Sequence, residues 1–336
     1  MTMSKKIISV LLVIVMLFST ASVAFAADGA NTTTSSSTKE LNPFLYMTKD
    51  EIKEYVNSLD MGALGFLKVV VNVVVGAAFF IGSLEAVDFE LSFLKDPLLN
   101  FSWKLVKGFD RAATDEAKEA VKTFSSAMLK TKAAQNVAVT KVESCNASVK
   151  KTGAQNETIS DIGAAIIGII TGIATTGSKT YTFSNGVAKE DSSVKIENFV
   201  TPFGTENAIK GAYIADTTTK DYDGYKVITM TFVKEQSVYD GTATSFPRGN
   251  SSVLTPIDAA NFNNGSKAWY VKNADTSYTG TTVTVEINKE GLIREIGVSA
   301  PFTCRITATV ENIIIKIEAY DILFEGKLLS SYTFRY

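Results

Sequence analysis

Residues 283–319, VTVEINKEGLIREIGVSAPFTCRITATVENIIIKIEA, decide the fold of this chain. Val283, Val285 and Ile287 alternate with polar residues, Asn288-Lys289-Glu290-Gly291 makes a short polar turn ending in glycine, and apolar residues resume from Leu292 to Val298. A period of two on both sides of such a turn predicts a β-hairpin with one buried face. Pairing Ile287 with Leu292 sets Val283 opposite Ile296. Further on, Phe302, Cys304, Ile306, Ala308 and Val310 hold even positions, whereas Ile313, Ile315, Ile317 and Ala319 hold odd ones. A straight strand would send these two sets to opposite faces. Either a second hairpin turning at Glu311-Asn312 or a bulge in one long strand restores a single apolar face. The hairpin is the reading adopted here, and it puts Val310 opposite Ile313 and Cys304 opposite Ala319.

Toward the C-terminus, Leu328, Ser330, Tyr332, Phe334 and Tyr336 alternate to the last residue, which predicts a terminal strand tied into the sheet. Toward the N-terminus, β-branched residues and Gly/Asn/Asp turns extend back to about Val137, with one interruption near residues 160–175. Before that the period is helical. Thr48 followed by Glu51 is a capping box that opens a helix through about Leu59. Asp96-Pro97 reads as a cap and first helical residue, with Leu98, Phe101, Leu105 and Phe109 on one face. Thr114 opens a longer helix with Ala117, Val121, Phe124 and Met128 as its apolar stripe. The expectation is an α+β fold in which N-terminal helices (48–135) pack against a curved, mostly antiparallel, half-barrel-like C-terminal sheet (136–336), all in one domain over 48–336.

The composition agrees with a packed protein: 336 residues, 46% hydrophobic and 20% charged. The sequence contains 0 histidines, which excludes Ser-His-Asp and Cys-His nucleophile systems and His-ligated zinc. With 33 basic and 35 acidic residues, net −2, no basic footprint for nucleic acid is visible. Residues 1–26 read as a cleaved secretory signal: Lys5 and Lys6, the apolar stretch Ile7–Phe18, then Ala24-Phe25-Ala26. Residues 27–47, including the run NTTTSSST at 31–38, read as a flexible spacer. An extracytoplasmic location follows, secreted or within the cell envelope.

The most unusual segment is Gly62–Leu84, apolar except for Lys68 and Asn72. As a helix it gathers Gly65, Lys68, Asn72 and Gly76 into one narrow stripe. The preferred reading is a core helix wrapped by the sheet. The second is membrane contact, since the run is long enough to span a bilayer, although a central lysine costs roughly 2.5–3.5 kcal/mol. Ile159–Thr175, with Gly168 and Gly172 four apart, is a shorter segment of the same kind.

No catalytic, cofactor-binding or metal-ligating set emerges. The carboxylates Glu85, Asp88 and Glu90 form one sequence cluster and Asp221 and Asp223 another, but proximity along the chain does not make a glycosidase pair. Asp221-Tyr222-Asp223-Gly224 reads as a turn, with the glycine two positions early for a calcium loop. Cys145 and Cys304 lack CxxC spacing, and two readings stay open for them: one disulfide, or two buried thiols. Trp103, Trp269, Tyr270 and the terminal tyrosines could serve a binding surface. Tyr239–Gly265 reads as a long loop and the first place to look for partner contact. The function expected is non-enzymatic binding, of a lipid or other apolar ligand held between sheet and helices. The alternative is a membrane-active or self-assembling protein using 62–84 and 159–175, and a carboxylate-based hydrolase is the third reading.

Overall fold

The structure is a computed structural model, described over residues 42–83, 94–152, 168, 177–204, 208–263, 269–311 and 316–336. The signal segment and Ile159–Thr175 (Gly168 apart) lie outside these residues. The chain divides into two compact units, up to Ala112 and from Ala113 onward.

The first unit is helical. Helix α1 (Lys49–Ser58) carries the predicted capping box, Thr48 accepting from the Glu51 amide while the Glu51 carboxylate accepts from the Thr48 amide. Helix α2 (Phe66–Ser83) follows a tight turn at Gly62–Leu64, and helix α3 (Lys95–Val106) completes the unit. α3 starts at Lys95, with Leu94 as cap, so Asp96 is already helical. Pro97 is tolerated there because the amides of a first turn have no intrahelical partner to lose. The unit has its own core of Ile52, Val56, Val71, Val75, Ala78, Leu98, Leu99 and Val106. Residues 42–47 belong to this core rather than to the spacer. Asn42 caps the turn Pro43–Leu45, and buried Phe44 sits edge-on to Tyr55 at 5.8 Å and to Trp103 at 5.3 Å. The ends of the unit are joined by Asp60 N–H donating to Asp110 O at 2.8 Å and Ala112 N–H donating to Ser58 O at 2.9 Å.

The second unit opens with α4 (Asp115–Lys132), capped by Thr114 as predicted. Its sheet is formed by β1 (Val137–Thr152), β2 (Gly177–Ser184), β3 (Val187–Ala188), β4 (Ile214–Tyr222), β5 (Tyr225–Phe232), β6 (Glu235–Tyr239), β7 (Thr244–Ser245), β8 (Trp269–Tyr278), β9 (Thr282–Asn288), β10 (Ile293–Glu311) and β11 (Lys316–Arg335). All described pairings are antiparallel. The main order is β3-β2-β1-β11-β10-β8-β6-β7, with β9, β5 and β4 extending from the first half of β10, and the sheet does not close into a barrel. The fold is α+β, as the change of period near Val137 predicts. Ala117, Ala120, Phe124 and Ala127 on α4 face the sheet core, where Phe203 lies 6.3 Å from Phe124 and stacks on Phe334 at 5.7 Å. Among the described residues, Phe124, Phe203 and Phe334 stand between α4 and the sheet.

Both predicted hairpins exist, with corrected registers. Ile287 pairs with Ile293 and Val283 with Val298, because Asn288 closes a loop on Leu292 and the strand slips one residue between Ile293 and Glu295. Val310 pairs with Ile317 and Cys304 with Phe324, so the turn is wider than Glu311-Asn312. The C-terminus is tied down: the Tyr336 hydroxyl donates to Ile293 O at 2.7 Å, and Thr131 Oγ1 accepts from Ile293 N–H at 3.0 Å.

Candidate functional site: the outward face of the apolar helix

α2 buries one stripe, Val71, Val74, Val75, Ala78 and Ile81, against α1 and α3. This packing lies within the helical unit. The polar stripe takes a second direction. Lys68 Nζ donates to Asn57 O at 2.9 Å, and Asn72 Nδ2 donates to Asn57 Oδ1 at 3.0 Å. Asn57 lies in the last turn of α1, where carbonyls lack intrahelical partners and a cation is favoured by the helix dipole. The two groups that make this segment costly in an apolar medium are therefore both turned toward α1.

What remains outward is apolar. Phe66 is 59% exposed, Val69 67%, Val73 47% and Phe80 43%, and Leu64 just before the helix is exposed as well. Steps of three and four residues, with Gly76 between Val73 and Phe80, place these side chains on one face of the helix. Their exposed surface is on the order of 500 Å², within the range of the largest apolar patch on an ordinary monomer, which is often functional. Among the described residues, the helical run Gly62–Ser83, the turn and α2 together, is long and apolar enough by length and composition to cross a membrane. On a different side of α2, the Lys95 ammonium lies 5.1 Å from the Phe79 ring centroid.

The other candidates have structural employment. Cys145 on β1 and Cys304 on β10 are both buried and stand as free thiols. They pair with Leu328 and Phe324 respectively on opposite sides of β11, and that strand separates them. Burial pushes the Cys145 thiol up to about 11 and that of Cys304 up to about 12, the latter despite the Thr276 hydroxyl donating to its sulfur at 3.1 Å. Asp221 and Asp223 flank the β4–β5 turn, paired with Lys226 at 3.6 Å and Lys289 at 3.1 Å, and Gly224 takes φ 99° as the turn requires. Glu85, Asp88 and Glu90 fall outside the described residues. Among the described residues, no group of three or more Cys, Asp or Glu is arranged to hold a metal ion.

Over its described residues, 239–263, the expected loop is largely irregular backbone with short turns, and much of it is packed. Asn250, Val253 and Phe262 are buried, and the Glu235 carboxylate accepts from the Gly249 amide at 2.9 Å and from the Asn250 amide and side chain at 2.7 Å. Trp103 serves the helical core, and the Tyr332 hydroxyl donates to Thr201 Oγ1 at 3.2 Å while burial raises its pKa to about 12. The Trp269 side chain is outside the described set, and Tyr270 donates to Gly241 O at 3.0 Å. Sequence reasoning located the apolar helix but not its outward face, because apolar residues occupy nearly the whole circumference and only the positions of α1 and α3 select one side. Comparison with family models, with curated proteins and with solved structures finds no match to this chain.

Proposed function

We propose that this chain is an exported, non-enzymatic protein of the cell envelope that attaches to a lipid surface through the outward stripe of α2. The observation that carries the reading is the exposure of Phe66, Val69, Val73 and Phe80 while Lys68 and Asn72 are bound to Asn57. A lipid surface suits this patch better than a protein partner. A standard protein interface needs roughly 800 Å² per partner, and this stripe supplies less, whereas a bilayer accepts apolar side chains without shape complementarity. Immersing half of the stripe gains about 6 kcal/mol at 25 cal/mol per Å². After the entropic cost of association, weak and reversible attachment is left, comparable with a single acyl chain at about 10⁴ M⁻¹. The signal-like residues 1–26 and the lack of histidine support export and a non-enzymatic role.

The reading of an apolar ligand held inside the protein has less support. In the second unit the space between α4 and the sheet is occupied by Phe124, Phe203 and Phe334. The test is flotation of the mature chain, starting at Ala27, with phosphatidylcholine and phosphatidylglycerol vesicles. Co-flotation that rises with lipid and persists in high salt is expected. A chain that stays at the bottom of the gradient with every vesicle type overturns the proposal.

A further inference from the structure

The β4–β5 hairpin carries an aromatic arrangement that neither the core nor the α2 stripe uses. Tyr222 and Tyr225 are the last cross-strand pair before the turn, and their rings stack at 4.8 Å with an interplanar angle of 10°. The Arg294 guanidinium lies 5.3 Å from the Tyr225 ring centroid. Strand order gives the sequence of the stack. Tyr222 is on β4, Tyr225 on β5, and Arg294 on β10 beyond β9, so Tyr225 is held between a ring and a cation. Among the described residues β4 pairs only with β5, leaving no strand beyond Tyr222, and this ring is 49% exposed.

The pair stands on the solvent side of the sheet, since Ile228, Met230 and Phe232 take the buried positions of β5. Its surroundings are polar but balanced. The Asp221–Lys226 and Asp223–Lys289 ion pairs flank the turn, all four side chains largely exposed. The two ion pairs cancel and Arg294 adds one positive charge behind Tyr225, short of the basic patch that a phosphate polymer needs, and the setting suits a neutral ligand rich in hydroxyls. A stacked ring is already ordered, so a ligand that lies flat on it loses little entropy on the protein side. A pyranose unit has the matching chemistry: an apolar C–H face for the ring, and hydroxyls at its edge for carboxylates and ammonium groups.

We propose that Tyr222, backed by Tyr225 and Arg294, is a stacking platform for a pyranose unit of a neutral polysaccharide. Asp223 and Lys289, paired at 3.1 Å beside the turn, supply an acceptor and a donor for the sugar hydroxyls, whereas Asp221 and Lys226 alternate to the other face of the hairpin.

The test is depletion of the full mature chain from solution by insoluble chitin and by insoluble cellulose. Saturable retention on at least one of them is expected. Tyr222→Ala weakens it at least tenfold and Tyr222→Phe keeps it within about threefold, while the melting temperature falls by no more than a few degrees in Tyr222→Ala, which loses the cross-strand stack, and is unchanged in Tyr222→Phe. The Val69→Glu/Val73→Glu variant, altered in the α2 stripe, retains polysaccharide binding, so failure of the lipid proposal and failure of this one are read separately. Absence of saturable retention on both polymers, or retention unchanged in Tyr222→Ala, overturns the inference.

Discussion

Gly326→Ala is the substitution through which the centre of the sheet can be tested most sharply. Gly326 lies on β11 opposite Ala147 of β1 and Phe302 of β10. A Cβ added there would stand 2.5 Å from Asn146 O and 2.5 Å from the Phe302 Cζ. Unstrained carbon contacts lie near 3.5–4.0 Å, so the methyl group is about 1 Å too close on two sides. Neither neighbour yields easily. Phe302 is buried, and the Asn146 carbonyl belongs to β1, whose displacement opens the β1–β11 ladder. Overpacking costs about 1–3 kcal/mol, and with a backbone atom involved the upper end is expected, about 3 kcal/mol. Urea unfolding followed by circular dichroism would read this as a lower midpoint at unchanged slope. In a Phe302→Leu background the ring contact is gone, and about 1 kcal/mol of the loss should be relieved as coupling. A Gly326→Ala protein within about 0.5 kcal/mol of wild type would refute the packing described for β1, β10 and β11.

Three further outcomes follow from the buried groups. Cys145 and Cys304 should resist dithionitrobenzoate at pH 8 in the native protein and titrate as two thiols per chain in guanidinium, whereas no thiols after unfolding would mean a bridge. Burial holds protons on Cys145, Cys304 and Tyr332, with native pKa values of about 11, 12 and 12 against ordinary values of 9.0 for the thiols and 10.0 for the phenol. The unfolded chain releases these protons first, so stability is fully present below about pH 9 and is lost as pH rises toward 12, by several kcal/mol in total; Cys304→Ala should flatten the fall, and an alkaline melting profile level to pH 11 would contradict it. Thr131→Val leaves the buried Ile293 amide without its acceptor, the Tyr336 hydroxyl keeping Ile293 O, and should cost about 1–3 kcal/mol by thermal or urea unfolding, with no change refuting the tie.

Much of the fold was legible because its signals are local. The Thr48–Glu51 capping box, the Thr114 cap and the change of period at Val137 each act within a few residues, and each stands where the sequence puts it. Registers were less legible because they depend on how a turn closes. The Asn288 side chain accepts from the Leu292 amide at 2.8 Å and claims a residue that alternation alone assigns to the strand. The outward stripe of α2 could not be singled out from sequence, because the contacts of Lys68 and Asn72 with Asn57 span 11 and 15 residues and join two different helices. The Tyr222–Tyr225–Arg294 stack was hidden for a related reason. The turn at Asp223-Gly224 is readable, but Arg294 reaches Tyr225 only through the order β5-β9-β10.

The central claim, that one face of α2 meets lipid, is tested most directly by comparing vesicle partitioning of wild type with the Val69→Glu/Val73→Glu variant. Both positions are exposed, and glutamate has at least the helix propensity of valine, so the fold should hold, with only a few tenths of a kcal/mol lost to repulsion between the two charges at i,i+4. Two carboxylates on the apolar face should weaken partitioning more than tenfold while the melting temperature shifts by no more than a few degrees. Equal partitioning of the two proteins would contradict the account.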